Sequence, residues 1–292
     1  MLVIQYLAEN LPVLLIFAGL LGLVVGSFLN VVIHRLPKMM EREWRSQCAE
    51  VLEGDAPLER QQAYNLVVPR SQCPGCGHRI TALENVPVFS YLALGGRCSQ
   101  CGWRIPLRYP AVELLTGLLS VIVVWRFGLS VQAGGALLLT WALVALSFID
   151  FDTQFLPDSI TLPFLWLGLA FNVTETYTTT QASVVGAIAG YLVLWSVYHL
   201  FRLLTGKEGM GYGDFKLLAL FGAWLGWSAV PLIVLLSSFV GAIIGVGMIA
   251  LRGHDRNIPI PFGPYLAMAG WIALMWGNQL VDAYLGVSGL TQ

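Results

Sequence analysis

The sequence predicts an all-α polytopic membrane protein with about eight transmembrane helices and a small domain inserted after the first. Of its 292 residues, 57% are hydrophobic and only 11% are charged, whereas a soluble domain carries about 25% charged residues. Apolar windows of about 20 residues, long enough to span a bilayer, recur along the chain. The formal net charge of −1 gives no reason to expect a nucleic-acid partner, so the lipid bilayer is the expected environment.

Eight apolar segments are predicted to cross the membrane. They cover residues 11–33, 111–125, 133–149, 160–173, 183–201, 217–230, 232–251 and 262–280. The second, fourth and sixth are short, and Pro231 is predicted to separate the sixth from the seventh. The chain therefore divides into a first transmembrane helix (1–34), an inserted domain (35–108) and a seven-helix membrane domain (109–292).

Basic residues fall almost entirely on one side of this topology. Ten of the 16 Lys and Arg residues lie in the 35–108 loop, and five more lie in loops of the same side, which leaves only Arg126 opposite. Because Lys and Arg accumulate in cytoplasmic loops, the inserted domain is predicted to be cytoplasmic. Asp150 at the end of the third segment and Asp214 at the start of the sixth then share the cytoplasmic face.

The inserted domain carries two cysteine pairs. Cys73 and Cys76 are followed, after 21 residues, by Cys98 and Cys101, which is close to the spacing of a zinc ribbon. Two disulfides or four reduced thiols are the alternatives, but a cytoplasmic location disfavours stable disulfides. We predict a structural Zn²⁺ site closed by four thiolates, with Cys48 outside it.

Two other stretches of the inserted domain have no assigned chemistry. Residues 41–64 are charged and compatible with helix, so a solvated helical hairpin or excursion is expected before the cysteines. Residues 87–96 are more apolar than a solvated loop. They form either the core of the small domain or a surface that packs onto the membrane.

Asp150 is the strongest candidate for chemistry in the membrane domain. A carboxylate at membrane depth costs about 2.5–3.5 kcal/mol on insertion scales, so it is a functional-site hypothesis by default. Asp152 is kept as a reserve, because two residues of separation place it on a different helix face. Asp158 follows Pro157 and is predicted to cap the next helix.

Asp214 lies in the sequence Gly211-Tyr212-Gly213-Asp214, directly before an apolar segment. Alone, this pattern is weak and also fits a loop aspartate that caps a helix. Together with Asp150 on the same face, it indicates a pair of interacting carboxylates. Two carboxylates a few ångströms apart do not both ionise easily and share a proton. One member can then deprotonate water while the other polarises a peptide carbonyl, which is aspartyl-protease chemistry.

Motifs along almost the whole chain resemble the type IV prepilin leader peptidase/N-methyltransferase family, a group of membrane aspartyl proteases. The resemblance rests on residues 26–37 (GSFLNVVIHRLP), the two cysteine pairs, and residues 108–113, 148–158, 209–216 and 259–264. It implies a multi-pass enzyme of the bacterial inner membrane with its active site facing the cytoplasm. The catalytic aspartates of the family fall on Asp150 and Asp214.

The resemblance also implies substrates and a co-substrate. Type IV prepilins or type II secretion pseudopilins would be cleaved after a glycine, and the new N-terminal amine would be methylated with S-adenosylmethionine. Glu113, Asn30 and Arg35 are candidates for the cofactor site; alternatively, Glu113 pairs with Arg35 or Arg108 to seat the cysteine domain. A non-catalytic zinc-ribbon assembly factor, whose aspartates only cap helices, is the alternative function.

Overall fold

The computed structural model describes residues 2–53, 63–252 and 261–288, and this part of the chain is helical, with two isolated β-bridges and no strand. The predicted all-α class is confirmed. The chain forms two compact units, Met1–Leu129 and Ser130–Gln292. The predicted three-segment division remains a prediction; helix 108–127 falls in the first unit.

The first unit is built on two long helices. Its elements are α1 (Leu2–Glu9), α2 (Leu11–Glu53), α3 (Phe89–Ala93) and α4 (Arg108–Phe127). Glycines let α2 approach α4 closely: a Cβ on Gly22 would lie 2.8 Å from the Gly117 Cα, and one on Gly26 would lie 2.7 Å from the Glu113 Cα. Small residues at such contacts are typical of helix pairs in membranes.

Helix α2 continues well beyond the predicted first span. Its last part, 41–53, contains Glu, Arg, Gln and Ala, which are good helix formers even where no apolar face is buried. The predicted charged excursion is therefore, in its first half, the end of α2. Residues 54–62 of that excursion lie outside the described part of the chain.

The second unit packs around one central helix. Its elements are α5 (Val131–Thr153), α6 (Asp158–Val173), α7 (Thr180–Thr205), α8 (Tyr212–Leu225), α9 (Ala229–Arg252) and α10 (Gly263–Ser288). Helix α8 is buried along most of its length. Its Gly222 faces Gly186 of α7, where either Cβ would collide with the opposite backbone, so α8 is held in direct backbone contact with α7.

A buried asparagine connects three of these helices. The Asn172 side chain, at the end of α6, donates to the carbonyls of Ala223 and Trp224, each at 2.9 Å, and to the Ser183 hydroxyl. Its Oδ1 accepts the backbone N–H groups of the turn that leads to α7. Because Ala223, Trp224 and Ser183 are buried, this amide fixes where α8 ends relative to α6 and α7.

Five helices of the described part are long and apolar enough to cross a membrane. They cover Leu11–Val51, Arg108–Phe127, Val131–Thr153, Thr180–Thr205 and Ala229–Gly247, and Asp158–Val173 is a shorter apolar helix. The count of eight spans remains a prediction.

The predicted sixth segment, 217–230, is interrupted by a helix break. Helix α8 ends at Gly226, where φ is +82°. Pro231 was predicted to separate two spans, but it lies in the first turn of α9, where its missing N–H costs no helical hydrogen bond.

Candidate active site

Asp150 lies in the last turn of α5, and its side chain is only 5% exposed. The helix ends at once because Gln154 adopts a left-handed conformation and donates its N–H to the Asp150 carbonyl. The Gly263 N–H, at the start of α10, donates to Asp150 Oδ2 at 3.1 Å. One carboxylate oxygen is therefore fixed by a backbone donor from a distant part of the chain.

Asp214 is the third residue of α8 and is 6% exposed. Gly211, with extended backbone angles, precedes the helix and accepts the Asp214 N–H at 3.3 Å. The carboxylates of Asp150 and Asp214 line a single cavity of about 340 Å³.

Leu156 sets how closely the segments around this cavity approach. A Cβ on Gly213 would lie 2.8 Å from the Leu156 Cβ, and a Cβ on Gly263 would lie 3.3 Å from its Cδ1 and 2.6 Å from Asp150 Oδ2. A side chain at Gly213 would therefore displace Leu156, and one at Gly263 would displace the Asp150 carboxylate. Nothing in the spacing of the sequence indicated that Leu156 and Gly263 belong to the site.

Asp158 has a different role from the predicted helix cap. Helix α6 begins at Asp158 and is preceded by Pro157, with no side-chain cap. The Asp158 carboxylate accepts two hydrogen bonds from Lys216 Nζ, at 2.7 and 2.6 Å. This pair lines the same cavity as Asp214 and joins the starts of α6 and α8, whereas Asp152 is exposed and does not line the cavity.

The four cysteines meet as predicted for a metal site. Their sulfurs all lie within 4.8 Å of one another, with Cys73 to Cys101 at 3.8 Å and Cys76 to Cys98 at 4.0 Å. A tetrahedral zinc with Zn–S bonds of about 2.3 Å requires sulfurs about 3.8 Å apart. The geometry therefore fits one Zn²⁺ ion held by four thiolates.

The two cysteine knuckles have the same local structure. Cys73 N–H donates to the His78 carbonyl and Cys98 N–H donates to the Trp103 carbonyl, so each first cysteine opens an equivalent turn. Each turn contains a positive-φ glycine, Gly77 or Gly102. The two halves of the metal site therefore have the same type of turn.

Glu84 bridges the two knuckles. Its carboxylate accepts the Ser99 hydroxyl, the N–H and hydroxyl of Thr81, and a hydrogen bond from the His78 ring. These hydrogen bonds lower the pKa of Glu84 to about 2, and the bond from Ser99 has the largest effect. Because His78 belongs to the first knuckle and Ser99 to the second, Glu84 holds the two halves of the metal site together.

A second cavity, of about 190 Å³, lies within the first unit between α2, α4 and the cysteine domain. Glu113 and Asn30 both line it, together with the aromatic side chains of Tyr91, Trp103 and Tyr109. Glu113 accepts the Val88 N–H at 2.8 Å. Asn30 donates to the Tyr109 carbonyl at 3.1 Å.

Arg35 does not join these two residues. Its guanidinium donates to the carbonyls of Asn65 and Pro69, at 2.9 and 2.6 Å, and it does not line the cavity. Arg35 therefore anchors the chain that enters the cysteine domain. Of the three residues predicted for the cofactor, Glu113 and Asn30 line this cavity and Arg35 does not, and the aromatic walls of the cavity are residues that sequence reasoning missed.

Two family models match this chain: the Bacterial Peptidase A24 N-terminal domain over residues 20–127 and the Type IV leader peptidase family over 137–246. Curated relatives named "Prepilin leader peptidase/N-methyltransferase" match over nearly the full length. The protein of Pseudomonas aeruginosa is 57% identical over 98% of both chains. The protein of Aeromonas salmonicida is 59% identical over 96% of this chain and 97% of its own. No solved structure gives a match.

Proposed function

The chain belongs to the type IV leader peptidase family, and from this membership we propose that Asp150 and Asp214 catalyse removal of the leader from type IV prepilins. The enzyme is a prepilin peptidase and N-methyltransferase. The observation that carries the assignment is the placement of two buried carboxylates on one cavity. The alternative of a non-catalytic assembly factor gains no support from the family match.

The proposed reaction is direct attack by water on the scissile peptide. The ionised member of the pair takes a proton from the water as its oxygen bonds to the carbonyl carbon. The protonated member donates to the carbonyl oxygen, which gives a tetrahedral intermediate. The first carboxyl then passes the proton taken from water to the amide nitrogen, the second carboxylate takes a proton back from a hydroxyl of the intermediate, and the C–N bond breaks to release the amine. Because the Gly263 N–H fixes Asp150 Oδ2, Asp150 presents its carboxylate in one orientation.

The test is mass spectrometry of a purified prepilin after incubation with each variant. Asp150→Asn and Asp214→Asn keep the size of the side chain and remove its charge, so each is expected to abolish leader removal. Asp152→Asn is the matched control, because Asp152 is exposed on the same helix turn, and it is expected to cleave normally. Leader removal by Asp150→Asn or Asp214→Asn, or loss of leader removal in the control alone, would overturn the assignment.

We propose that the second cavity holds S-adenosylmethionine, the methyl donor of the second activity. The cofactor supplies an electrophilic methyl group on a positively charged sulfonium. Glu113 brings a carboxylate to this cavity, and the rings of Tyr91 and Trp103 offer faces that attract a cation. Asn30, at the end of the predicted first span, offers an amide for polar groups of the ligand.

Glu113→Gln separates this role from a purely structural one. If Glu113 serves the cofactor, the variant cleaves prepilin but leaves the new N terminus unmethylated, and its affinity for the cofactor falls in equilibrium dialysis. Zinc content is measured in parallel, because Glu113 also accepts the Val88 N–H and seats the cysteine domain. Normal methylation by Glu113→Gln would place the cofactor site elsewhere.

We also propose that the enzyme lies in the inner membrane with its cysteine domain and the Asp150–Asp214 pair facing the cytoplasm, which the excess of Lys and Arg in the loop 35–108 supports. Its proposed substrates are prepilins and secretion pseudopilins. Cys48, exposed on α2, provides the test of orientation. A membrane-impermeant maleimide should label Cys48 in inverted vesicles and not in right-side-out vesicles. The opposite pattern would reverse the orientation.

A further inference from the structure

The short helix α3 lies beside the start of α4. Helix α4 is 20 residues long, and at 1.5 Å per residue it spans about 30 Å, the thickness of the hydrocarbon core. Glu113 lies in the second turn of α4, about 7 Å along the helix axis from its start. The Val88 N–H, directly before α3, donates to the Glu113 carboxylate, and helical side chains lean toward the helix N-terminus, so α3 begins beside the first two turns of α4.

Helix α3 is exposed on its apolar side. Phe89 is 61% exposed and Leu92 is 69% exposed, and three residues of separation place them on one face of the helix. No residue of α3 is buried. Phe89 and Leu92 therefore do not form a core for the small domain, and for this side of α3 the interpretation as a membrane-facing surface fits.

Helix α4 and the residue before it also carry an exposed apolar stripe. Leu107, Leu114 and Leu118 are 72%, 53% and 59% exposed and recur at the spacing of one helix face. Leu107, just before α4, therefore extends this exposed stripe into the cysteine domain. The exposed apolar surface does not stop where the membrane helix stops.

Basic residues follow the apolar face at the end of α3. The Arg97 N–H donates to the Leu94 carbonyl at the end of that helix, and Arg97 forms a β-bridge with Arg104. Both arginines are exposed. Apolar side chains beside basic ones are typical of segments that lie in the interface of a phospholipid membrane.

We propose that Phe89 and Leu92 of α3 insert into the phospholipid interface at the membrane face where α4 begins, and that Arg97 and Arg104 contact lipid phosphates. The cysteine domain is then held on the membrane at two points, by its covalent link to α4 and by α3. This contact keeps the cavity beside Glu113 at the membrane surface.

The experiment replaces Phe89 by the photoreactive analogue p-benzoylphenylalanine in the full-length protein, reconstituted in nanodiscs of phosphatidylethanolamine and phosphatidylglycerol. After illumination, lipid adducts at position 89 are measured by mass spectrometry. The control carries the same analogue at Trp44, an aromatic residue of α2 that is 48% exposed. Asn30 contacts Tyr109 at the start of α4, and Trp44 lies 14 residues, or about 21 Å, farther along α2. Trp44 is therefore expected to lie outside the membrane interface.

We expect the lipid adduct at position 89 to be about tenfold more abundant than at position 44, since interfacial helices bury their apolar face about 5–10 Å into the headgroup region. Equal adducts at the two positions, in protein with a full zinc content, would overturn the proposal. So would an adduct at position 89 that forms only with added prepilin, because the face would then bind a protein.

Discussion

Replacing Gly263 by alanine tests whether cleavage depends on holding Asp150 in one position. The added Cβ would lie 2.6 Å from Asp150 Oδ2, 3.1 Å from its Cγ and 3.3 Å from the Leu156 Cδ1. Ordinary contacts begin near 3.4 Å, so Oδ2 has to move by about 0.8 Å or α10 has to withdraw. Either movement stretches the 3.1 Å hydrogen bond from the Gly263 N–H.

The size of the effect follows from that hydrogen bond. A hydrogen bond to a charged group contributes about 1.5–3 kcal/mol, and each 1.36 kcal/mol corresponds to a tenfold change in rate. Gly263→Ala is therefore expected to lower kcat/KM for leader removal by roughly 10- to 150-fold. A misplacement of about 1 Å at a catalytic group has an effect of similar size.

The assay is the initial rate of prepilin cleavage by purified enzyme in nanodiscs, with thermal unfolding measured on the same samples. Gly134→Ala is the matched control, because Gly134 lies in α5 with Asp150 and a Cβ there meets nothing within 4 Å. The control should cleave at the native rate. A Gly263→Ala enzyme that is folded and cleaves within twofold of the native rate would refute the role of the Gly263 N–H.

Three further changes probe the supports of the two units. Asn172→Ala leaves buried carbonyls of Ala223 and Trp224 without their donor, so we expect a loss of about 3 kcal/mol or more in the free energy of unfolding; a loss below about 1 kcal/mol in chemical denaturation would contradict this. Glu84→Gln weakens the bridge between the cysteine knuckles and should lower zinc affinity about tenfold. Competition with a chromophoric chelator measures this, with the exposed Glu41→Gln as control, and an unchanged affinity would exclude the bridge. Lys216→Met breaks a partly exposed pair with Asp158, so it should destabilise the protein by about 1 kcal/mol or less; the double variant with Asp158→Asn should be no worse than either single variant, and additive losses would argue against the pairing.

The features predicted from the sequence are those that depend on local composition or on a fixed spacing. Asp150 and Asp214 were predicted as a pair because a carboxylate beside an apolar segment is costly, and the structure places both residues, buried, on one cavity; their catalytic role stays a prediction. The cysteine cluster was found from its spacing. Both signals lie within a few residues of the chain and need no knowledge of how the helices pack.

The features that were missed depend on contacts between distant segments. Gly263 lies in a segment that carries the family resemblance, 259–264, but its contact with Asp150 spans more than one hundred residues, and no local pattern predicts that its missing side chain makes room for a carboxylate. Asp158 was interpreted as a helix cap and Lys216 only as one of the basic residues that set the orientation, although their side chains meet. The length of α2 was underestimated, because the apolar pattern ends before the helix does.

The hydrogen-bond donor to Glu113 shows why pairing acidic with basic residues did not predict the contacts of Glu113 and Asp150. An arginine partner was considered, yet the carboxylate accepts the N–H of Val88, just as Asp150 accepts the N–H of Gly263. A backbone donor has no rotamers of its own, so it fixes a carboxylate without the entropy cost of ordering a long side chain. It also brings no formal charge. The donor therefore holds each carboxylate in place without the opposite charge that an arginine would bring, which leaves the group available to what enters the cavity: substrate and water at Asp150 and, in our proposal, a cationic cofactor at Glu113.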